Sequence, residues 1–128
     1  MKVTVSRNAH FNAAHRLYRK DWDEAQNTAV FGKCNNHNFH GHNYELTVSV
    51  TGAIDPQTGY VIDMKVLKDI IYEEVEMPFD HKNLNLDVPF LEGKKTSIET
   101  LAVEPPESLL MTGASATLPT ETVIVWLS

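Results

Sequence analysis

Asn43-Tyr44-Glu45-Leu46-Thr47-Val48-Ser49-Val50-Thr51 alternates apolar and polar residues without a break. Side chains two apart on an extended chain share a side. Tyr44, Leu46, Val48 and Val50 therefore form one face, and Glu45, Thr47, Ser49 and Thr51 the other. This is the clearest strand in the chain. Upstream, residues 2 to 12 alternate well enough to form another, with Val3 and Val5 on one face. Between the two, the polar stretch from Tyr18 to Asn38, dotted with aromatics, reads as a loop. Downstream, Asp55-Pro56-Gln57-Thr58-Gly59 is a turn in which Pro presets one dihedral and Gly supplies a permissive one. Asp63 then suits the N-cap of a helix running to about Glu76. Val66, Leu67, Ile70, Ile71 and Val75 give that helix an apolar stripe, and Pro78 is expected to end it.

A loop carrying Asp80, His81 and several Asn and Asp residues leads on to Pro89. A second helix is expected from Thr96 or Ser97, with Glu99 in its first turn, where a carboxylate suits the helix dipole. Pro105-Pro106 stops it. Composition changes after Lys95: no Lys or Arg follows, and 111 to 119 lack periodicity. Thr122 to Leu127 could form a last short strand.

The 128 residues make one domain's worth of chain, with apolar and charged fractions of 42% and 22%, near the globular average. No apolar run approaches the ~20 residues that cross a bilayer. The N-terminus reads as a strand rather than a signal peptide, so a cytoplasmic location is expected. The net charge of -6, with no basic patch, argues against nucleic acid as a partner and toward small-molecule chemistry. A single cysteine, Cys34, excludes an intramolecular disulfide.

Three of the six histidines fall in His37-Asn38-Phe39-His40-Gly41-His42. On a strand, His40 and His42 point the same way and can converge on one ion. A catalytic zinc commonly takes three protein ligands and keeps one position open. His15, just beyond the first strand, is the natural third; His37 is a rival that would not share a face with the pair. The alternative is a set of solvated loop histidines. Cys34 beside such a centre could act as a base; the alternative is an inert, packed thiol. Asp80-His81 could store or relay a proton if a loop folds the two together; otherwise it is a solvated turn.

Phe11 to Leu17, Phe31 to Asn36 around Cys34, His40-Gly41-His42-Asn43-Tyr44, Ile54 to Gly59 and Phe79 to Pro89 occur in this order over roughly the first 90 residues. Together they resemble the 6-pyruvoyl-tetrahydropterin synthase family. The resemblance implies a small α+β domain over 1–128, of the tunnelling-fold type: a four-stranded antiparallel sheet with two helices on one face. It implies zinc on His15, His40 and His42, with Cys34 as catalytic base, assisted by Asp80 and His81. It implies 7,8-dihydroneopterin triphosphate as substrate, losing triphosphate to give 6-pyruvoyl-tetrahydropterin. Magnesium on the triphosphate is left open. Thr96 and Glu99 of the Thr-x-x-Glu stretch, and Glu121 of a Glu-Thr pair, are the implied substrate-binding residues, Glu121 anchoring the pterin edge. The family assembles as hexamers with sites at subunit interfaces.

A sister branch, for queuosine synthesis, makes 6-carboxy-tetrahydropterin and typically shows Cys-x3-His-Gly-His. Five residues separate Cys34 from His40 here, which looks like the pyruvoyl type. His37 stands where the family often has Pro. From about Glu104 the chain departs from the family pattern, as a divergent or frame-altered tail would. Such a tail is expected to leave sheet edges unpaired, and a zinc-binding remnant without turnover is the third reading.

Overall fold

The computed structural model describes residues 1–103 and 120–127, with side chains described through residue 101. Two long strands, β1 (Lys2–His15) and β2 (His40–Ala53), form its axis. They pair antiparallel in unbroken register from Lys2↔Ala53 to His15↔His40. The alternation read from the sequence sets the faces. Phe11, Ala13, Tyr44, Leu46, Val48 and Val50 are buried on the inner side. The outer side carries polar pairs across the strands, Thr4 with Thr51 at 2.8 Å and Ser6 with Ser49 at 2.7 Å. Such cross-strand hydroxyl bonds hold the register without apolar cover.

The sheet order is β3-β1-β2-β4. β4 (Thr120–Leu127) runs antiparallel to β2, with a register irregularity that leaves Glu121 between the pairs Thr51↔Thr122 and Gly52↔Thr120. The edge of β2 is thus covered along Leu46 to Gly52, contrary to the expectation of an unpaired edge. The expected all-antiparallel sheet also needs correction. β3 is only Lys82–Asn83 and pairs in parallel with β1 at Ala13 and Ala14. Its brevity has a local cause: the Asn83 side chain accepts from the Asn85 amide, and Asp87 accepts from the Asn83 amide. These contacts turn the chain away from the sheet.

The main helical layer begins where expected. The Asp63 carboxylate accepts the Lys65 amide at 2.7 Å and caps α2 (Met64–Ile71). The helix does not stop at Pro78. A wide turn over Tyr72–Glu76, in which the Met77 amide bonds back to the Tyr72 carbonyl, carries it into α3 (Met77–Phe79). The shift to five-residue spacing relaxes the ladder just before the residue that lacks an N–H, so the proline is accommodated. Leu67, Ile71, Val75 and Phe79 recur every fourth position and are all buried against the inner face of the sheet. α4 (Ile98–Val103) starts after Ser97, as expected, and adds Leu101 to the same core.

The stretch from Tyr18 to Asn38, read as a loop, contains α1 (Glu24–Phe31) followed by a tight turn over Gly32–Asn35. α1 has a capping box, Asp23 with Gln26, but no apolar stripe; its buried residue is Asn27. Asn27 accepts from the Arg19 amide and donates to the carbonyls of Arg19, Trp22 and Asp23. A polar anchor has replaced the hydrophobic one that periodicity detects. Among the described residues, no helix is long and apolar enough to cross a membrane.

Ile71 is 1% exposed and Lys65 projects into solvent. Ile71→Ala should destabilise the fold by about 2–5 kcal/mol. Lys65→Ala should change it by less than about 0.5 kcal/mol. Urea denaturation followed by circular dichroism separates the two; equal midpoints would show that the helix does not close the core as described.

Candidate metal centre

The β1–β2 register ends at His15↔His40 and sets His42 two residues further along the same face. The three rings close on one another, with centroid separations of 4.5 Å for His15–His40, 4.7 Å for His40–His42 and 4.9 Å for His15–His42. One ring nitrogen from each lies within 4.8 Å of the others. His15 is buried, His40 partly so, and His42 opens to solvent. This set could hold a metal ion with one side left accessible.

The nitrogens support that reading independently. His15 Nδ1 lies 2.6 Å from the Thr96 carbonyl oxygen. A carbonyl only accepts, so Nδ1 carries the proton and Nε2 presents its lone pair to the cluster. Among the described residues, that Nε2 and both nitrogens of His40 are buried without a hydrogen-bond partner. Buried polar atoms are nearly always paired, so the orphaned Nε2 of His15 and an orphaned ring nitrogen of His40, grouped with one of His42, fit a cation that binds among them. Burial is the main cause that pushes the His15 pKa below the ordinary 6.5, with the Thr96 carbonyl opposing it and the neighbouring imidazoles adding to it. Burial, then His42, lowers His40 likewise. Both shifts favour the neutral imidazole, the form a metal requires.

Tyr44 continues the same face. Its ring stacks on Phe11 at 4.8 Å, and burial pushes its phenol up to about 12, so it stays protonated.

Cys34 sits in the Gly32–Asn35 turn as a half-buried free thiol, and its carbonyl accepts the Leu17 amide at 2.8 Å. Asp80 and His81 adopt the loop geometry that adjacent partners need. His81 has φ of +58°, its Nδ1 lies 2.9 Å from Asp80 Oδ2, and its amide donates to the Asn12 carbonyl at 2.7 Å. Asp80 Oδ1 accepts the Asn12 amide at 2.9 Å. That amide first, then His81, holds the Asp80 carboxyl below the usual range. The dyad thus hangs on Asn12, whereas Cys34 hangs on Leu17. Among the described residues, no hydrogen bond joins Cys34 to Asp80 or His81.

Thr96, expected to touch substrate, is wholly buried and is engaged behind the cluster in holding His15. Glu99 is exposed in the first turn of α4. Glu121 belongs to β4, and its side chain lies outside those described. The reading from sequence missed Asn35 and Arg16, whose bonds fix the Cys34 turn. Nothing in their spacing marks them.

The fold and site define a small α+β domain with a three-histidine centre open on one side. The sequence profile described as 6-pyruvoyl tetrahydropterin synthase matches residues 4–126. A 6-pyruvoyl tetrahydrobiopterin synthase of Homo sapiens is 48% identical over 102 residues, covering 80% of this chain and 70% of the relative. The solved structure of Caenorhabditis elegans 6-pyruvoyl tetrahydropterin synthase superposes with a TM-score of 0.83 at 33% identity. That match covers 100% of this chain and 95% of the other. A dihydroneopterin monophosphate aldolase of Pyrococcus furiosus is 34% identical over 85 residues, 66% of this chain and 60% of the relative. The chain belongs to the 6-pyruvoyl tetrahydropterin synthase family.

Depressed histidine pKa values have a stability consequence in the metal-free protein. Below the ordinary imidazole value of 6.5, the unfolded chain takes up protons that native His15 and His40 resist. Stability present above that pH should fall as the pH drops through it. Melting temperatures of chelator-treated protein should decline from pH 7.5 to 5.5, and His15→Gln should flatten the decline. A melting temperature that rises on acidification would contradict the burial assigned to this ring.

Proposed function

We propose that the chain is a zinc-dependent carbon–oxygen lyase converting 7,8-dihydroneopterin triphosphate to 6-pyruvoyl-tetrahydropterin with elimination of triphosphate. The observation that carries this reading is the set of orphaned imidazole nitrogens of His15 and His40 beside His42, in a chain of this family. Zinc bound there supplies Lewis acidity toward the substrate's side-chain hydroxyls, which acidifies the neighbouring C–H. Cys34, as thiolate, takes that proton, and the triphosphate departs with the electrons of its C–O bond. The Asp80–His81 pair holds a proton for exchange with the site, the carboxylate stabilising the imidazolium.

A hexamer, as in the family resemblance, is the proposed form. Glu121 is proposed to grip the pterin edge through two parallel hydrogen bonds, with Glu99 as a further substrate-binding residue.

A relative named as an aldolase is 34% identical over 85 residues, so the identity of the product, rather than consumption of a pterin, is the informative readout. Purified protein incubated with 7,8-dihydroneopterin triphosphate should release triphosphate and yield a product with the mass of 6-pyruvoyl-tetrahydropterin. The mass of 6-carboxy-tetrahydropterin would instead move the assignment to the sister branch. Cys34→Ala should lower kcat by about 10²-fold or more while zinc stays bound. Full activity in that variant would refute the base. His40→Ala should lose the metal, and one retained zinc per chain would contradict the ligand set.

A further inference from the structure

His15 and Arg16 are consecutive, yet they serve different parts of the site. His15 turns into the three-imidazole cluster. The Arg16 guanidinium reaches the turn that carries Cys34. Its Nε donates to the Asn35 carbonyl at 2.8 Å and to Asn35 Oδ1 at 3.1 Å, and its Nη2 donates to the same Oδ1 at 2.7 Å. Asn35 directly follows Cys34 and is 2% exposed. Its Nδ2 donates to Glu24 Oε1 at 2.8 Å, so both ends of the amide are engaged. On the other side, the Leu17 amide donates to the Cys34 carbonyl at 2.8 Å.

Arg16 is itself immobilised. Its amide donates to Asn85 Oδ1 at 2.7 Å, and its carbonyl accepts from Asn85 Nδ2 at 3.0 Å. The guanidinium lies 4.3 Å from the centre of the Tyr18 ring, and the side chain is 13% exposed. A planar fork with two N–H groups on one acceptor residue has directional demands that a lysine ammonium cannot meet. The Cys34 turn is therefore tied to the same two-residue step of backbone that orients His15.

We infer that Arg16 is a positioning residue that sets Cys34 against the metal centre through its paired hydrogen bonds to Asn35. The inference rests on the proposed reading of Cys34 as the base. A misplacement of about 1 Å between reacting groups lowers rates by about 10²-fold, so a loosened turn should show in turnover before it shows in substrate binding.

The test uses the full zinc-loaded protein. Arg16→Lys keeps the charge and removes the fork. It should retain one zinc per chain, lower kcat by about 10- to 100-fold, leave KM within about threefold, and change the rate of Cys34 alkylation by iodoacetamide severalfold. Unchanged kcat and alkylation rate with zinc retained would overturn the inference. Should Arg16→Lys fail to fold, Asn35→Ser removes the side-chain bonds while keeping the carbonyl acceptor, and the same outcomes decide. Combining the two substitutions should cost less than the sum of the single losses, because both break the side-chain bonds between Arg16 and Asn35; fully additive losses would also overturn it. Cys34→Ala separates the two levels. Full turnover in that variant sinks the reading of Cys34 whatever Arg16 does. An inactive Cys34→Ala beside a fully active Arg16→Lys sinks the positioning role alone. The alkylation rate reports on the tie even in a protein without turnover.

Discussion

Everything at the candidate site descends from the register of β1 against β2. The pairing runs without interruption from Lys2↔Ala53, and its last rung sets His15 across from His40. A slip of one residue would turn Tyr44, Leu46, Val48 and Val50 to the solvent and send His40 and His42 to the wrong face. The same alternation that makes the core therefore makes the histidine cluster. The apolar face below it, with Phe11 stacked on Tyr44, penalises any other register by exposing large buried side chains.

The polar parts are organised by bonds to main chain rather than by packing. Thr96 fixes the His15 ring through its carbonyl, Asn12 holds the Asp80–His81 pair through both its amide and its carbonyl, and Leu17 with Arg16 holds the Cys34 turn. Each functional group is thus referenced to β1 or to the residues just after it. Such hydrogen-bonded supports limit rotamer freedom where activity depends on distance. They also explain why Thr96 is buried although its segment was expected to meet substrate: its carbonyl is committed to the His15 ring.

The strand at 43–51, the Asp55–Gly59 turn, the Asp63 cap and the shared face of His40 and His42 were legible because each follows from a period or a local capping rule, whereas His15 was a candidate by position that the family resemblance singled out. Three features were not. α1 lacks an apolar stripe and is anchored by buried Asn27, so periodicity misses it. The helix passes Pro78 because a wide turn relaxes its hydrogen-bond ladder, a tertiary accommodation that proline's ordinary effect hides. β3 is two residues long and parallel, which no pattern of that length can announce. The roles of Arg16 and Asn35 were hidden for a further reason: a contact across 19 positions between polar residues leaves no local signature.

The central claim is that three imidazoles hold a zinc ion and leave the Cys34 thiol free to act as a base. X-ray absorption spectroscopy at the zinc edge of metal-loaded protein tests it most directly. The account predicts a first shell of light atoms alone, at about 2.0–2.1 Å, with multiple scattering characteristic of three histidine rings. A sulfur scatterer at about 2.3 Å would contradict it, because Cys34 would then be a ligand rather than the base.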